Sequence, residues 1–466
     1  MLSSHKYRLL SVLLLSCASC AGAQWSNAGG NAGRNGQSSE IGPAAAEILW
    51  STSATSIIAW QPVIEDRRVY VVRQSGFPPE PNSDESPILC LDLDTGAEHW
   101  RINIPFNTGN WTTWIAGVKD GKLFAARSGN GDTSIAPLRC YDSTTGAFLW
   151  SSQDTIGAGP YDGVVFADNG DPIVADFRTI TRFDAATGNT VWRTNRTCSA
   201  TGSCGGAIGN GAIYIADSVP GGQAVKKVNL TTGALEYTAP VMPGFTLQNT
   251  PMVSTDGTIY IPRSQNNPVT DFLYAFNDTG SALTERWAVP TQWTTSTELA
   301  VGPDASVYYI APGRILTRLD AATGAVIDQA ADPIAYDGSG MSPRMATDAL
   351  GRVYLTNGSF ANGRLYSFDA DLQLRWSQAV TNINIGGPAL GPDGTLVVAG
   401  NGTIMRAFRT DHCLADTNND GMLSPADFSA WVAAFNAMAP ACDQNDDGSC
   451  SPADFSAWVA NYNAGC

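Results

Sequence analysis

The chain has 466 residues and a mass of 49.1 kDa, and 43% of its residues are hydrophobic while only 15% are charged. This composition provides enough apolar material for a large core and excludes a globally disordered protein. The formal net charge of -16 excludes the basic footprint that nucleic acids and anionic membrane surfaces require. Only three histidines are present, which argues against a Ser-His-Asp triad or a zinc centre.

The first 23 residues predict a secretory signal peptide. Lys6 and Arg8 precede the apolar run 9–15, and the small residues 21–23 before Gln24 fit a signal-peptidase site. The run is too short to span a bilayer. We therefore predict an exported protein, which is extracellular, at the cell surface or in the periplasm, with no transmembrane segment.

Residues 14–17, Leu-Leu-Ser-Cys, offer an alternative to simple secretion, because they resemble a loose lipobox. A lipoprotein is the less favoured prediction. The segment that follows the signal, residues 24–43, is predicted to be a linker. Export also makes disulfide bonds permissible.

Two short patterns alternate between residues 44 and 411. One joins an apolar residue and Asp to a Thr-Gly step and then a Trp, and it is clearest after Asp92, Asp142 and Asp184. The other precedes each copy and reads as a short apolar strand, a turn with Gly or Asp, and an alternating strand. Copies of the first pattern that lack one or two key residues follow near positions 229, 277, 320 and 369.

The patterns predict four short strands in each repeat. Residues 44–411 hold eight repeats of about 46 residues, which indicates an all-β fold, an eight-bladed β-propeller. Residues 46–50 carry only the end of a repeat, and residues 404–408 carry only the start of the first pattern. We expect the N-terminal strand to complete the last blade and so hide the free strand edges.

The repeat resembles the tryptophan-docking repeat of the pyrroloquinoline quinone (PQQ) family, in which Ala-x-Asp-x-x-Thr-Gly-x-x-x-Trp closes each blade. The resemblance implies that each tryptophan packs between neighbouring blades. It does not decide the function, because that family contains quinoprotein alcohol and sugar dehydrogenases as well as cofactor-free scaffold propellers.

Three departures make PQQ the less favoured cofactor. The dehydrogenases often carry adjacent cysteines over the quinone, whereas five residues separate Cys198 from Cys204 here. No Glu/Asn/Asp set for calcium and quinone matches by position, and no Cys-x-x-Cys-His motif for haem is present. Cys90 and Cys140 occupy equivalent repeat positions and are expected to be packed thiols.

The long strand connections are predicted to lie on one face of the propeller, where variable loops on a rigid scaffold usually bind ligands. Their side chains form either ordinary packing at the channel rim or a pocket that stacks a planar cofactor or a sugar. The residues concerned are the aromatics Trp60, Trp111, Trp114, Tyr161, Phe245, Trp293 and Tyr336 and the acids Asp162, Glu298 and Asp337.

Two twelve-residue segments near the C-terminus predict two calcium sites. In a calcium loop, positions 1, 3 and 5 supply side-chain oxygens, position 7 a carbonyl, position 9 a direct or water-mediated ligand and position 12 an acid, with Gly at position 6 for the sharp turn. Here position 12 is Asp rather than Glu. The predicted ligands are Asp416, Asn418, Asp420, Met422, Ser424 and Asp427 in the first loop, and Asp443, Asn445, Asp447, Ser449, Ser451 and Asp454 in the second.

Each loop leads into the sequence Ala-Asp-Phe-Ser-Ala-Trp-Val, which predicts a helix with an aromatic core stripe. Two such loop–helix units, with the terminal Gly465-Cys466, resemble the GC-type dockerin of planctomycete-like bacteria. The resemblance assigns residues 412–466 to a small helical dockerin-like, EF-hand-like domain and implies a cohesin-like or cell-surface protein partner. Pro425 and Ala426 stand where many cellulosomal dockerins carry recognition residues, which speaks against a cellulosomal partner.

Four cysteines in this region allow three pairings. We favour Cys413–Cys466 as a clasp between the ends and Cys442–Cys450 within the second loop. A free Cys466 would be an anchoring thiol.

The sequence thus favours an exported, non-catalytic binding or scaffold propeller that is displayed or anchored through its calcium module. One alternative is a PQQ-dependent alcohol or sugar dehydrogenase. The other is a carbohydrate-active protein of polysaccharide degradation, because dockerins often accompany such enzymes. The propeller loops would then bind a glycan or a protein.

Overall fold

A computed structural model describes most of the chain outside the predicted signal peptide. None of the helices in the described ranges combines the length and the apolar character that crossing a bilayer requires. The described residues are 25–52, 60–75, 87–105, 110–129, 135–157, 163–198, 204–244, 250–263, 271–292, 299–336, 343–359, 362–380, 386–400, 405–410, 414–418, 423–445 and 449–464.

Eight antiparallel sheets, or blades, form the propeller. Blades 1 to 7 pair their first four strands in sequence order, and the short fifth strand of blade 4 pairs with the third strand of that blade. The expected eight-bladed propeller is confirmed. The strands of blades 1 to 4 are β2 to β5 (Val63–Glu65, Arg68–Val72, Ile88–Asp92, Glu98–Ile102), β6 to β9 (Asn110–Lys119, Lys122–Gly129, Ile135–Asp142, Phe148–Gly157), β10 to β13 (Val165–Phe166, Pro172–Ala175, Thr179–Phe183, Thr190–Asn195) and β14 to β18 (Ala207–Gly209, Ala212–Val219, Gly222–Asn229, Leu235–Thr238, Met242–Pro243). Those of blades 5 to 7 are β19 to β22 (Met252–Val253, Ile259–Arg263, Phe272–Asp278, Leu283–Pro290), β23 to β26 (Ala300–Val301, Val307–Ala311, Ile315–Leu319, Val326–Gln329) and β27 to β30 (Arg344–Thr347, Val353–Thr356, Arg364–Phe368, Leu374–Ala379).

Blade 8 joins the two ends of the propeller, as the sequence predicts. Its strands β31 (Ala389–Leu390), β32 (Leu396–Ala399) and β33 (Met405–Phe408) come from the C-terminal side. The outer strand is β1 (Ile48–Thr52), which pairs antiparallel with β33. The ring therefore closes through hydrogen bonds between segments more than 350 residues apart.

The recurring Asp and Thr-Gly residues form the turn between the third and fourth strands of a blade. In blade 1, Asp92 Oδ1 accepts hydrogen bonds from the backbone N–H of Thr95 at 2.9 Å and from its hydroxyl at 2.8 Å. Gly96 has a φ of +69°, and a Cβ there would lie 2.7 Å from the ring of Trp50. Only glycine meets both conditions at no steric cost, which explains why this residue recurs.

The repeat tryptophans pack between blades, as expected. Trp100 Nε1 donates to the carbonyl of Thr144 in the next blade at 3.0 Å, and Trp150 Nε1 donates to that of Ala185 at 3.2 Å. Equivalent bonds are made by Trp50, Trp192 and Trp287, and by the hydroxyl of Tyr237. We label the four strands of a blade A to D in chain order. Each aromatic ring thus fixes one blade to the turn between strands C and D, the C–D turn, of the next blade.

Two 13-residue helices, α1 (Pro425–Ala437) and α2 (Pro452–Ala464), form the C-terminal module with a 3-10 turn at Pro440–Cys442. Trp431 and Trp458 are its buried centre, and Phe435 and Tyr462 pack against them. The stripe differs from the expected core at its first position, because Phe428 and Phe455 are 40% and 44% exposed. The disulfide Cys442–Cys450 is confirmed, whereas Cys413 and Cys466 lie outside the described residues.

Candidate functional site

The central channel of the propeller is occupied by the chain's own N-terminal segment, residues 25–43, which we call the N-terminal plug. Its backbone exchanges hydrogen bonds with the innermost strands, which line the channel of a propeller. Trp25 pairs with Ile64 in both directions, at 3.0 and 2.8 Å. The carbonyls of Ser26, Ala32, Gly33, Asn35 and Gly36 accept from Val118, Ile208, Val253, Val301 and Thr347, each at 2.8 Å.

Side chains extend these contacts to the remaining blades. Asn27 Nδ2 donates to the carbonyl of Val164 at the entrance of blade 3. Gln61 accepts from the backbone N–H of Gly29 at 3.1 Å and donates to the carbonyl of Pro388 before blade 8 at 2.7 Å. Plug contacts thus reach seven blades directly and blade 8 through Gln61.

The predicted linker is therefore wrong for residues 25–43, and the reason is steric. Gly and Asn are common in linkers, but here they permit a close approach to the channel wall. A Cβ on Gly33 would lie 2.6 Å from the carbonyl oxygen of Val253. Arg34 is 5% exposed and donates to the carbonyls of Ala28, Gly163 and Gly206 at 2.8 to 3.0 Å.

A second set of residues, which the sequence analysis missed, occupies eight equivalent positions. Each is the sixth residue after the A–B turn, the turn between the first and second strands of a blade. Most of them are buried and polar, and they lie at the end of the second strand of each blade, towards the long loops. We call this set the anchor ring. Its members are Arg73, Arg127, Asp176, Asp217, Arg263, Ala311, Asn357 and Gly400.

Hydrogen bonds to strand connections hold most polar atoms of the anchor ring, and among the described, buried side-chain atoms of this set only Arg263 Nε has no hydrogen-bond partner. Arg127 Nε donates to Pro105 at 3.0 Å, and Arg263 donates to the carbonyls of Pro243 and Gly244 at 2.8 and 2.6 Å. Asp176 accepts from the N–H of Gly157, Asp217 from that of Thr197, and Asn357 donates to Ala335. These side chains therefore hold the connection that enters their own blade. Alignment of the eight repeats on their A–B turns would have found them, because a polar residue recurs where a strand pattern expects an apolar one.

Burial lowers the pKa of all three anchor-ring arginines, Arg73, Arg127 and Arg263. The pKa falls to about 10 for Arg73 and to about 9 for Arg127. Both remain charged at neutral pH, and their charge is directed at backbone carbonyls such as that of Gly400. Their role is to hold the loop face in place.

Of the described aromatic side chains on the loop face, all but Tyr336 are buried. Trp60 and Trp114 are 7% and 2% exposed, and they line a cleft with a cavity volume of only about 10 Å³, beside Arg344 and the plug residue Ala28. Tyr336 is 37% exposed and lies under the guanidinium of Arg314. The side chain of Trp111 and residues Tyr161, Asp162, Phe245, Trp293, Glu298 and Asp337 lie outside the described part of the chain.

The described part of the channel does not fit PQQ. The cleft beside the plug offers one arginine and no carboxylate to hold a calcium ion against the quinone. Among the described residues, no three His, Cys, Asp or Glu side chains cluster as a metal site. Burial raises the pKa of the Cys90 and Cys140 thiols to about 12, which removes the thiolate that a reactive cysteine needs.

The predicted calcium loops are described at both ends but not at their centres, because Asp420, Met422 and Asp447 lie outside the described residues. Asp427 is buried, and its two carboxylate oxygens accept from the backbone N–H of Asn418 at 3.2 Å and of Ser424 at 2.8 Å. Position 12 of the first loop thus folds back onto positions 3 and 9.

The second loop repeats this arrangement. Asp454 accepts from the backbone N–H of Gln444 and Asn445 at 2.9 and 3.3 Å and from that of Ser451 at 2.7 Å. Burial alone would raise the pKa of Asp454, but these donors outweigh it and lower the pKa. A carboxylate oxygen has a second lone pair, so the described oxygen donors fit a hard cation such as calcium.

Each tryptophan of the module holds the other loop. Trp431 Nε1, on α1, donates to the carbonyl of Cys442 at 3.1 Å, immediately before the second loop. Trp458 Nε1, on α2, donates to the carbonyl of Ala415 at 3.2 Å, immediately before the first loop. Each helix is therefore hydrogen-bonded to the start of the opposite loop.

Comparison with known proteins agrees with the repeats. The family described as outer membrane protein assembly factor BamB, a PQQ-like repeat family, matches residues 84–330, which is more than half of the chain. The chain belongs to this family. The BamB-family match ends before blade 7, so it does not reach the C-terminal module. None of the curated proteins matches the chain.

Solved structures share the propeller fold at low sequence identity. Quinohemoprotein alcohol dehydrogenase from Comamonas testosteroni is 13% identical with a TM-score of 0.57, and the alignment covers 81% of this chain and 77% of that one. BamB from Moraxella catarrhalis is 14% identical with a TM-score of 0.51, covering 76% and 94%. The computationally designed protein Ika8 is 13% identical with a TM-score of 0.54, covering 78% and 100%. At this identity the likeness concerns the fold alone.

Proposed function

We propose that this BamB-family propeller is an exported, non-catalytic binding scaffold. The observation that carries the proposal is the N-terminal plug. A propeller has one deep concavity, its central channel, and here the chain's own backbone occupies that channel. A cofactor on the axis would have to displace hydrogen bonds made to seven blades.

The remaining chemistry supports the same role. The buried charges of the anchor ring are directed at loop backbone or, for Asp217, also paired with Arg196 and Lys226, and the Cys90 and Cys140 thiols are held protonated. The scaffold presents a loop face that is rigidly anchored at its base, which is how folds usually carry a binding surface. Its ligand is proposed to be a protein or a glycan.

The C-terminal module is proposed to bind two calcium ions and to attach the propeller to a cohesin-like or cell-surface protein. Oxygen ligands at positions 1, 3, 9 and 12 of both loops support this assignment. Because each tryptophan bonds the entrance of the opposite loop, calcium in one loop favours the bound form of the other. The two ions are therefore expected to bind cooperatively.

A PQQ titration of the full-length mature chain tests the scaffold role. We expect no saturable change in heat or absorbance up to high micromolar PQQ, with calcium or without it. Saturable, calcium-dependent one-to-one binding would contradict the proposal and would favour a PQQ-dependent alcohol or sugar dehydrogenase instead. A carbohydrate-active role would be indicated by glycan-array binding with turnover of the bound glycan.

A further inference from the structure

The boundary between blades 6 and 7 lacks the aromatic ring that the other blade boundaries contain. In β5, Trp100 stands opposite Cys90, and in β22, Trp287 stands opposite Ala275. The same register position in β26 is Asp328, opposite Arg318. Blade 6 therefore has no indole to place against blade 7.

Arg318 replaces the backbone hydrogen bond of the missing indole and part of its packing, because its guanidinium lies over the ring of Tyr308 at 5.9 Å. Arg318 Nη1 donates to the carbonyl of Ala370 in the next C–D turn at 2.9 Å, as Trp287 Nε1 does to Ala321 at the preceding boundary. That turn also lacks the Thr-Gly step, and Leu372 takes a left-handed conformation with φ +57°. Leu372 is buried and fills only part of the space.

A cleft remains between these two blades. Its buried walls are Ile334, Tyr366, Phe368 and Leu372, with Asp332 and Gln373 at its exposed mouth. Its cavity volume is about 60 Å³. A well-packed interior tolerates few such spaces, and the other boundaries use the corresponding region for an aromatic ring.

Apolar side chains are exposed on the two outer strands that flank this boundary, and one of them, Leu374, lines the cleft. Val326 and Ile327 on β26 are 56% and 44% exposed, and Leu374 on β30 is 55% exposed. At the neighbouring boundary between blades 5 and 6, the outer strand carries Glu285 and Arg286 in the corresponding places. Exposed apolar side chains around a cleft are typical of an interaction site.

We propose that the cleft between blades 6 and 7 binds an aromatic side chain, preferentially tryptophan, on an extended segment of a partner protein. The chemistry of the occupant follows from the seven equivalent boundaries, which hold six indoles, five of them hydrogen-bonded, and one tyrosine. β26 is an outermost strand with an unpaired edge, so the segment can also pair its backbone with that edge. This inference names the partner surface of the proposed scaffold and rests on that proposal only for the partner being a protein.

The test uses N-acetyl-5-fluorotryptophanamide as the probe and fluorine NMR of the full-length chain. We expect one saturable site with a millimolar dissociation constant. Asp328→Trp restores the missing ring and should weaken probe binding by at least about tenfold, and Leu374→Glu should do the same at the rim without filling the cleft. The matched control is Leu149→Glu, because Leu149 is 46% exposed on the outer strand of blade 2, and it should leave binding unchanged.

Two results would overturn the inference. The first is the absence of saturable binding at about 10 mM probe. The second is probe binding that is unchanged both in Leu374→Glu and in a folded Asp328→Trp variant. The PQQ titration probes the channel and this experiment probes the outer rim, so each proposal can fail while the other stands.

Discussion

Replacing Arg34 tests whether the plug stabilises the propeller. Arg34→Met keeps the length and the apolar stem of the side chain but removes three hydrogen bonds from a buried charged donor to the carbonyls of Ala28, Gly163 and Gly206. Three such bonds at about 1.5 kcal/mol each give an expected loss of about 4 kcal/mol in the free energy of unfolding. Guanidinium unfolding, followed by far-ultraviolet circular dichroism of the propeller, measures this loss.

The matched control is Arg67→Met, which removes an arginine whose side chain is 48% exposed and paired with Asp94 and Asp393. Exposed ion pairs contribute little, so we expect a loss below about 1 kcal/mol. Limited proteolysis should cut residues 25–43 faster in Arg34→Met than in Arg67→Met. Equal losses in the two variants, with equal protection of this segment, would refute the conclusion that the plug is part of the propeller's stability.

Three further predictions concern the blades and the module. Burial raises the pKa of Glu65, so the folded protein holds this proton more tightly than the unfolded chain does. The free energy of unfolding should therefore fall as pH rises from about 4.5 through the raised pKa. Glu65→Gln should remove this slope, and parallel stability curves of variant and wild type between pH 4 and 8 would contradict the prediction. Trp150→Ala should lower the free energy of unfolding by about 3–5 kcal/mol, because the ring is 8% exposed and donates a hydrogen bond to the carbonyl of Ala185. Trp150→Phe should lower it by less. Chemical denaturation compares the two variants, and equal losses would count against a packing role of the ring. Calcium at 100 times its dissociation constant should stabilise the C-terminal module by about 2.7 kcal/mol. Calorimetry should therefore find that a chelator lowers the melting temperature of the module and leaves that of the propeller unchanged. An unchanged melting temperature of the module would contradict the calcium assignment.

The parts of the fold that the sequence predicted depend on local chemistry. An Asp that accepts from the Thr three residues later, followed by a Gly with positive φ, forms the same turn wherever it occurs. The turn can therefore be recognised at Asp92 and Asp142 without knowledge of the rest of the chain. The interblade role of Trp100 and Trp150 followed from the fixed spacing between turn and ring.

The plug and the anchor ring could not be predicted in the same way. Arg34 bonds Gly206, 172 residues away, and no local pattern encodes such a contact. The Gly- and Asn-rich composition of the plug is also that of a flexible connection. In the anchor ring, Arg263 and Asp217 interrupt apolar strands, and their partners are backbone groups that a sequence does not identify.

The candidate site was predicted in part. The sequence placed Trp60 and Trp114 at the channel rim, and both lie there, but as buried packing. The aromatic stripe of the module was correct for Trp431 and Trp458. It was incomplete for Phe428, because two short helices have too little surface between them to cover a third ring on each side.

The position of the plug has a consequence for biosynthesis. Residues 25–43 are synthesised before any blade, yet their hydrogen-bonding partners extend to Thr347, and β1 pairs with β33 at residues 405–408. The earliest part of the chain therefore remains unsatisfied until nearly the whole propeller has been synthesised. A chain interrupted before Thr347 would leave the end of the plug without its partners, and one interrupted before residue 405 would leave β1 unpaired. Exposed backbone of this kind distinguishes an incomplete propeller from a finished one.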